Sequence, residues 1–237
     1  MVVSLLLILA GICAGFINTL AGGGSAIALS VLFVLGVPLN VANGTYRVAA
    51  LAQTLTSACT FHSAGELDLR KALLFAVPAV LGAILGAQIA VNLSEVVFER
   101  VAAVMMIGVL FMVIFQPHRR LAESDEPLLG ENSVLAYVIF FLVGIYGGFI
   151  HVGVGYLMLI SIAVAVGSNL VEANAIKVVI ILLYLIFALG VFVWGGMVHY
   201  HYALLLAVGQ MGGAFVGARM AIEKGSGFIR WLIVAFI

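Results

Sequence analysis

The sequence predicts an all-α polytopic membrane protein built from two related, inverted repeats, each a broken or re-entrant helix pair followed by about three spanning helices. Three observations carry this expectation. Of 237 residues, 65% are hydrophobic and only 8% are charged, against about 25% charged in soluble domains, and the mean hydropathy is +1.30. The apolar runs are continuous and roughly twice as long as the alternating segments of a membrane β-barrel. The pattern of the first half also starts again in the second. Net charge is zero and the basic residues are scattered, which gives no case for nucleic acid as a partner.

The elements follow in order. Val2 to Ile17 lacks a basic n-region and a convincing cleavage site, so it reads as a retained span and not a signal peptide. Gly22-Gly23-Gly24 then divides a helix pair, about 3 to 20 and 25 to 36, because glycine pays the largest backbone entropy in a helix. Ser25 to Leu35 would be about 16 Å long at roughly 1.5 Å per residue, too short for a hydrocarbon core of about 30 Å. Its N-terminus is therefore expected inside the membrane. Apolar segments at about 40 to 62, 71 to 92 and 97 to 115 complete the first repeat, 1–115. The polar run Gln116 to Asn132, with two prolines, Arg119, Arg120 and four acidic residues, is the expected linker. The second repeat, 133–237, gives segments at 133 to 150, 156 to 167, 172 to 194 and 202 to 221. A last run, Phe228 to Ile237, is too short to span and reads as an incomplete helix.

The restart keeps register. Gly11-x3-Gly15-Phe16-Ile17-Asn18 matches Gly144-x3-Gly148-Phe149-Ile150-His151 at an offset of 133 residues. Gly82-Ala83-x2-Gly86-Ala87 matches Gly213-Ala214-x2-Gly217-Ala218 at an offset of 131, as do Ala42-Asn43 with Ala173-Asn174 and Gly65 with Gly196. The loop carrying Arg70-Lys71 has a match at 196 to 202 without Lys or Arg, whereas Arg100 is matched by Lys224 and Arg230. Basic residues favour the cytoplasm, so the halves are expected to be inverted. Two related halves, each with a discontinuous helix, form the pattern of a secondary transporter working by alternating access.

The candidate site lies at the breaks. Irregular backbone at membrane depth is tolerated only where protein or a cavity satisfies its polar groups, and a half-helix N-terminus there favours an anion. Gly22, Gly23, Gly24 and Ser25 supply one break. His151, Gly153, Gly155 and Tyr156 supply the other. Arg47 is the only Lys or Arg between Met1 and Ser63, an interval without Asp or Glu. Such a residue in a span usually faces a cavity or a partner, here expected to be the ligand. Lys177 stands close to the matching position, with Glu172 as an alternative partner. Asn18, Thr45, Gln53, His151 and Asn174 are secondary substrate-binding candidates, since a buried amide, hydroxyl or imidazole needs a hydrogen-bond partner. For Gly82, Gly86, Gly209, Gly213 and Gly217, close helix packing is the expected role.

The run Gly15-Phe16-Ile17-Asn18-Thr19-Leu20-Ala21-Gly22-Gly23-Gly24, with Gly36-Val37-Pro38, Ala42-Asn43-Gly44-Thr45 and Gly65-Glu66-Leu67-Asp68, resembles the sulfite exporter TauE/SafE family. The likeness covers nearly the whole chain. It implies a multi-pass permease of the bacterial inner membrane that moves sulfur-containing anions such as sulfite, sulfoacetate, isethionate or taurine, usually outward. His151 and Tyr156 stand where the family favours small residues.

The expected partners are a small anionic substrate and the lipid bilayer, with a homodimer left open. No cofactor is expected. His199 and His201 lack the carboxylate or Cys companions of a metal site. Cys13 and Cys59, without CxxC spacing, read as small hydrophobes. An intramembrane enzyme would need a nucleophile, base and orienter within reach. Ser25 with His151 is the nearest approach, and no acidic residue lies within the membrane apart from Glu172 near a helix start. A passive anion channel is the closer rival.

Overall fold

The computed structural model describes residues 1–114 and 128–236. Residues 116–127 of the expected linker, with Arg119 and Arg120, lie outside the described residues. The first half contains α1 (Val2–Leu20), α2 (Ser25–Val34), α3 (Leu39–Ser63), α4 (Leu69–Asn92) and α5 (Glu95–Ile114). The second contains α6 (Val134–Phe149), α7 (Val154–Val166), α8 (Leu170–Trp194) and α9 (Tyr200–Phe236). The expected separate segments at 202 to 221 and 228 to 237 belong to α9, which is interrupted at Gly225 with φ 71° and ψ −170°. Among the described residues, α1, α4, α8 and α9 are long and apolar enough to cross a membrane.

These helices are turned inside out relative to a soluble bundle. Along α4, Leu73, Val77, Leu81 and Leu85 form an exposed stripe, while Ala72, Ala76, Ala79, Ala83, Ala87 and Ala90 are buried. Lipid is as apolar as leucine, so association gains little from hiding large side chains. It comes instead from close backbone contact over small residues. A Cβ placed on Gly82 would lie 2.8 Å from the Ile145 nitrogen, and one on Gly86 2.8 Å from the Phe149 nitrogen. Gly209 and Gly213 meet the nitrogens of Ile12 and Phe16 in the same way, at 2.9 and 2.8 Å. The ascending order shows that α4 runs parallel to α6, and α9 parallel to α1.

The contact pattern crosses between halves. α1 packs on α9 and α6 on α4; α3 packs on α9 and α8 on α4. α3 is the polar exception among the long helices, burying Asn43, Thr45, Arg47, Gln53, Thr54 and Ser57. It can do so because α1, α2, α5, α8 and α9 all contact it, which keeps these groups out of lipid.

The two ends of the bundle differ. At one end the Lys71 ammonium bonds Glu172 at 2.9 Å and approaches Asp68 at 3.5 Å and Glu131 at 4.0 Å. Asp68 also caps α4, its carboxylate accepting the Lys71 N–H at 3.1 Å. That bond holds its carboxyl below the usual carboxylate range. At the other end the His199 N–H donates to the Thr45 hydroxyl at 2.9 Å.

Candidate functional site

Each helix pair folds back at its glycines. α1 ends at Leu20, Gly22 has φ +83°, and a Cβ on Gly24 would lie 2.8 Å from the Asn18 nitrogen. α2 therefore returns along α1 as a hairpin. In the second half Gly153, φ +70°, is the N-cap of α7. Neither short helix has a side-chain cap at its N-terminus. The two breaks touch: a Cβ on Gly155 would lie 2.6 Å from the Gly22 Cα, and the Gly153 N–H donates to the Ser25 hydroxyl at 3.3 Å. Two backbones approach this closely only where both residues lack side chains.

Each of the two lone cations serves the hairpin of the other half. Lys177 donates to the carbonyls of Asn18 and Thr19 at 3.1 and 2.9 Å and to Asn174 Oδ1 at 2.5 Å. Arg47 Nη2 donates to the carbonyls of Gly147 and Gly148 at 3.0 and 2.6 Å. Each thus meets the negative C-terminal end of the broken helix of the other half, the favourable pairing for a cation. Glu172, the alternative partner for Lys177, is bonded to Lys71 instead.

The cations differ in what remains. All three ammonium hydrogens of Lys177 have acceptors. Arg47 is 0% exposed, its guanidinium carbon sits 4.5 Å above the Phe192 ring, and its Nε and Nη1 have no partner. His151, also 0% exposed, is similar: its Nδ1 lies 3.1 Å from the Tyr184 hydroxyl, and its Nε2 has no partner. Its ring lies between those of Tyr46 at 5.4 Å and Tyr184 at 5.9 Å. Unpaired buried donors are rare in proteins because each costs about 1–3 kcal/mol. Among the described residues no buried polar side chain is a carboxylate, so none can serve as counter-ion.

The remaining candidates are placed as follows. Asn18 donates to Gln53 Oε1 at 2.7 Å, Gln53 to the Thr19 hydroxyl at 3.3 Å, and Thr19 lies 3.0 Å from the Ser57 hydroxyl. This network ties α1 to α3. Asn174 anchors Lys177 and its own helix, donating to the Leu170 carbonyl at 2.9 Å. Thr45 stands apart, at the α8–α9 loop. Tyr156 is buried at the second break, and Gly23 is half-buried at the first. Two residues escaped the sequence reading. Asn43 donates to the Phe149 carbonyl at 2.8 Å and accepts the His151 N–H at 3.2 Å, so it sets the height of His151. Gln210 is 0% exposed with both amide atoms unpartnered. As the lone polar residue between Gly209 and Gly213 it was a visible signal.

Ser25 and His151 are engaged separately, with Gly153 and Tyr184. Cys13 and Cys59 are free and exposed.

The family model described as sulfite exporter TauE/SafE matches residues 7–237. A Sinorhizobium protein named "Probable membrane transporter protein ORF9" is 27% identical over 96% of this chain and 87% of its own length. A "Probable membrane transporter protein" of Haemophilus influenzae is 27% identical over 94% of this chain and 87% of its own. "Probable membrane transporter protein YdhB" of Bacillus subtilis is 23% identical over 92% and 89%. No solved structure matches the chain significantly. With its apolar helices and bacterial relatives, this multi-pass protein of the bacterial inner membrane belongs to the sulfite exporter TauE/SafE family and is a membrane transporter.

Proposed function

We propose that the chain is a secondary transporter of small sulfur oxyanions or organosulfonates, such as sulfite, sulfoacetate, isethionate or taurine, working by alternating access around an anion site at the two helix breaks. One observation carries the reading: a fully buried guanidinium with two unused donors and, among the described residues, no buried carboxylate counter-ion. A sulfonate presents three acceptor oxygens and keeps its charge at all physiological pH. It suits the rigid fork of Arg47 better than a point charge would. In the tautomer in which Tyr184 donates to His151 Nδ1, the unpartnered Nε2 carries the proton and adds a neutral donor. The cation costs least when the hairpin carbonyls and the substrate share it.

Two features support a pair of related halves that move against each other. α1 and α6 pack on partners running parallel to each, so the two hairpins are related by exchange of halves. The ion cluster of Asp68, Lys71, Glu131 and Glu172 joins the first half to the second at one end and the Thr45–His199 hydrogen bond joins them at the other, so each end carries a contact that alternating access would break in turn. Arg70 and Lys71 assign the end with the ion cluster to the cytoplasm.

Counterflow in proteoliposomes tests the function. Vesicles loaded with unlabelled sulfite, isethionate, taurine, sulfoacetate or phosphate are given trace labelled sulfonate outside. Saturable exchange with at least one sulfur anion, and none with phosphate, is expected. Flux that follows the gradient without exchange or saturation would make the protein a channel and end the carrier reading.

A further inference from the structure

A groove of about 460 Å³ opens on the outer surface between α3 and α9. Thr56, Thr60 and Ser63 line one wall as a single stripe of α3, ending at that helix's last residue. Their hydroxyl hydrogens are already committed to the carbonyls of Ala52 at 2.9 Å, Thr56 at 2.8 Å and Thr60 at 2.9 Å. Each of these hydroxyl oxygens is therefore left to act as an acceptor. The apolar walls are the exposed Leu55 and Phe215, one helical turn deeper. Arg219 completes the groove, its guanidinium carbon 4.8 Å above the Phe215 ring. It stands 19 residues past Tyr200, about 28 Å along α9 at roughly 1.5 Å per residue. That depth, with the end of α3, is the headgroup level of the bundle end that carries Lys71. Among the described residues no carboxylate pairs with Arg219. Its repeat match is the uncharged Gln88, so the cation is peculiar to this face and not a product of the duplication.

We propose that this groove holds one anionic phospholipid with a hydroxyl-bearing headgroup, its phosphate on Arg219, its headgroup hydroxyls donating to the Thr and Ser oxygens, and an acyl chain along Leu55 and Phe215. A hydrocarbon surface explains the apolar walls, and an exposed arginine beside acceptor oxygens is complementary to a ligand that is both anionic and a hydrogen-bond donor. Phosphatidylglycerol has both properties, whereas phosphatidylcholine offers a zwitterion and no donor. The inference does not rest on the anion site.

Native mass spectrometry of the purified chain with added phosphatidylglycerol or phosphatidylcholine tests it, with Arg219→Gln and, as a nearby charge control, Lys224→Gln. Phosphatidylglycerol adducts should outlast phosphatidylcholine adducts in the wild type and in Lys224→Gln. They should fall roughly fivefold or more in Arg219→Gln, as expected for the loss of one surface arginine. Equal retention of both lipids, or no change in Arg219→Gln, would overturn the proposal. The wild-type groove can also be read directly. In a Cys13→Ser background, alkylation of Cys59 should be slower in phosphatidylglycerol nanodiscs than in phosphatidylcholine ones. Equal rates would overturn the proposal, and so would a Cys59 to Cys59 cross-link between two copies, which would make the groove a dimer contact.

Discussion

At the residue scale, the two buried cations look interchangeable in sequence and are not. Lys177 spends every hydrogen on protein acceptors. Lys177→Ala should therefore lower stability by about 1–3 kcal/mol, the cost of stranding buried carbonyls, as measured by thermal or denaturant unfolding in detergent. Arg47 spends one nitrogen on the hairpin and holds two in reserve. Arg47→Lys keeps a donor for the carbonyls of Gly147 and Gly148 but loses the fork. The folded protein should survive, while sulfonate affinity falls roughly tenfold or more, the equivalent of one charge-assisted bond. Wild-type affinity in Arg47→Lys together with marked unfolding would reverse the assignment and make Arg47 the structural cap. Arg47 was legible because it is a lone base in a long uncharged interval. Which cation keeps free donors was not, because that depends on carbonyls contributed from 100 and 158 residues away. Gln53 and Asn18 were flagged by the same rule of buried polarity, and the structure pairs them with each other.

At the element scale, the hairpins were readable from their glycines, since three in a row cannot continue a helix cheaply. Their mutual contact was not, because Gly22 and Gly155 come together only in the folded bundle. Gly155→Ala places a methyl against the Gly22 backbone and should cost about 1–3 kcal/mol or more as overpacking. Gly36→Ala, at φ +81° with open space around it, should cost only about 1 kcal/mol of backbone strain. Folded yield and melting temperature of the two variants check the ranking; equal losses would place the breaks apart. The start of α4 adds a pH dependence. Asp68 titrates below its ordinary 3.8, so its contribution is full above that value and fades as the pH falls through the lower folded one. The melting-temperature gap between wild type and Asp68→Ala should thus be present at pH 7 and shrink toward pH 3. A gap that persists at low pH would show that the carboxylate charge is not what holds the cap.

At the scale of the whole molecule, the offsets of 131 and 133 residues, with the matched loop charges, pointed to two inverted halves. The packing of α1 on α9 and of α6 on α4, each pair parallel, exchanges partners between the halves, and their inversion is what we propose. The exchange of partners between halves was invisible in the sequence, since the same glycines could pair within one half as well as across. Single cysteines at Asp68 and His199, in a background lacking Cys13 and Cys59, should react with an impermeant thiol reagent on intact cells only at position 199; labelling of both would mean that the two ends do not face opposite sides. Across both halves, we propose that Arg47 holds the transported anion between the hairpins. The most direct measurement is saturable uptake of a labelled sulfonate into proteoliposomes containing wild type, Arg47→Lys or Arg47→Ala at matched, folded amounts. Saturable uptake in the wild type, a strongly raised half-saturation concentration in Arg47→Lys and no saturable uptake in Arg47→Ala are expected, whereas an unchanged half-saturation concentration in folded Arg47→Ala would show that Arg47 does not hold the anion.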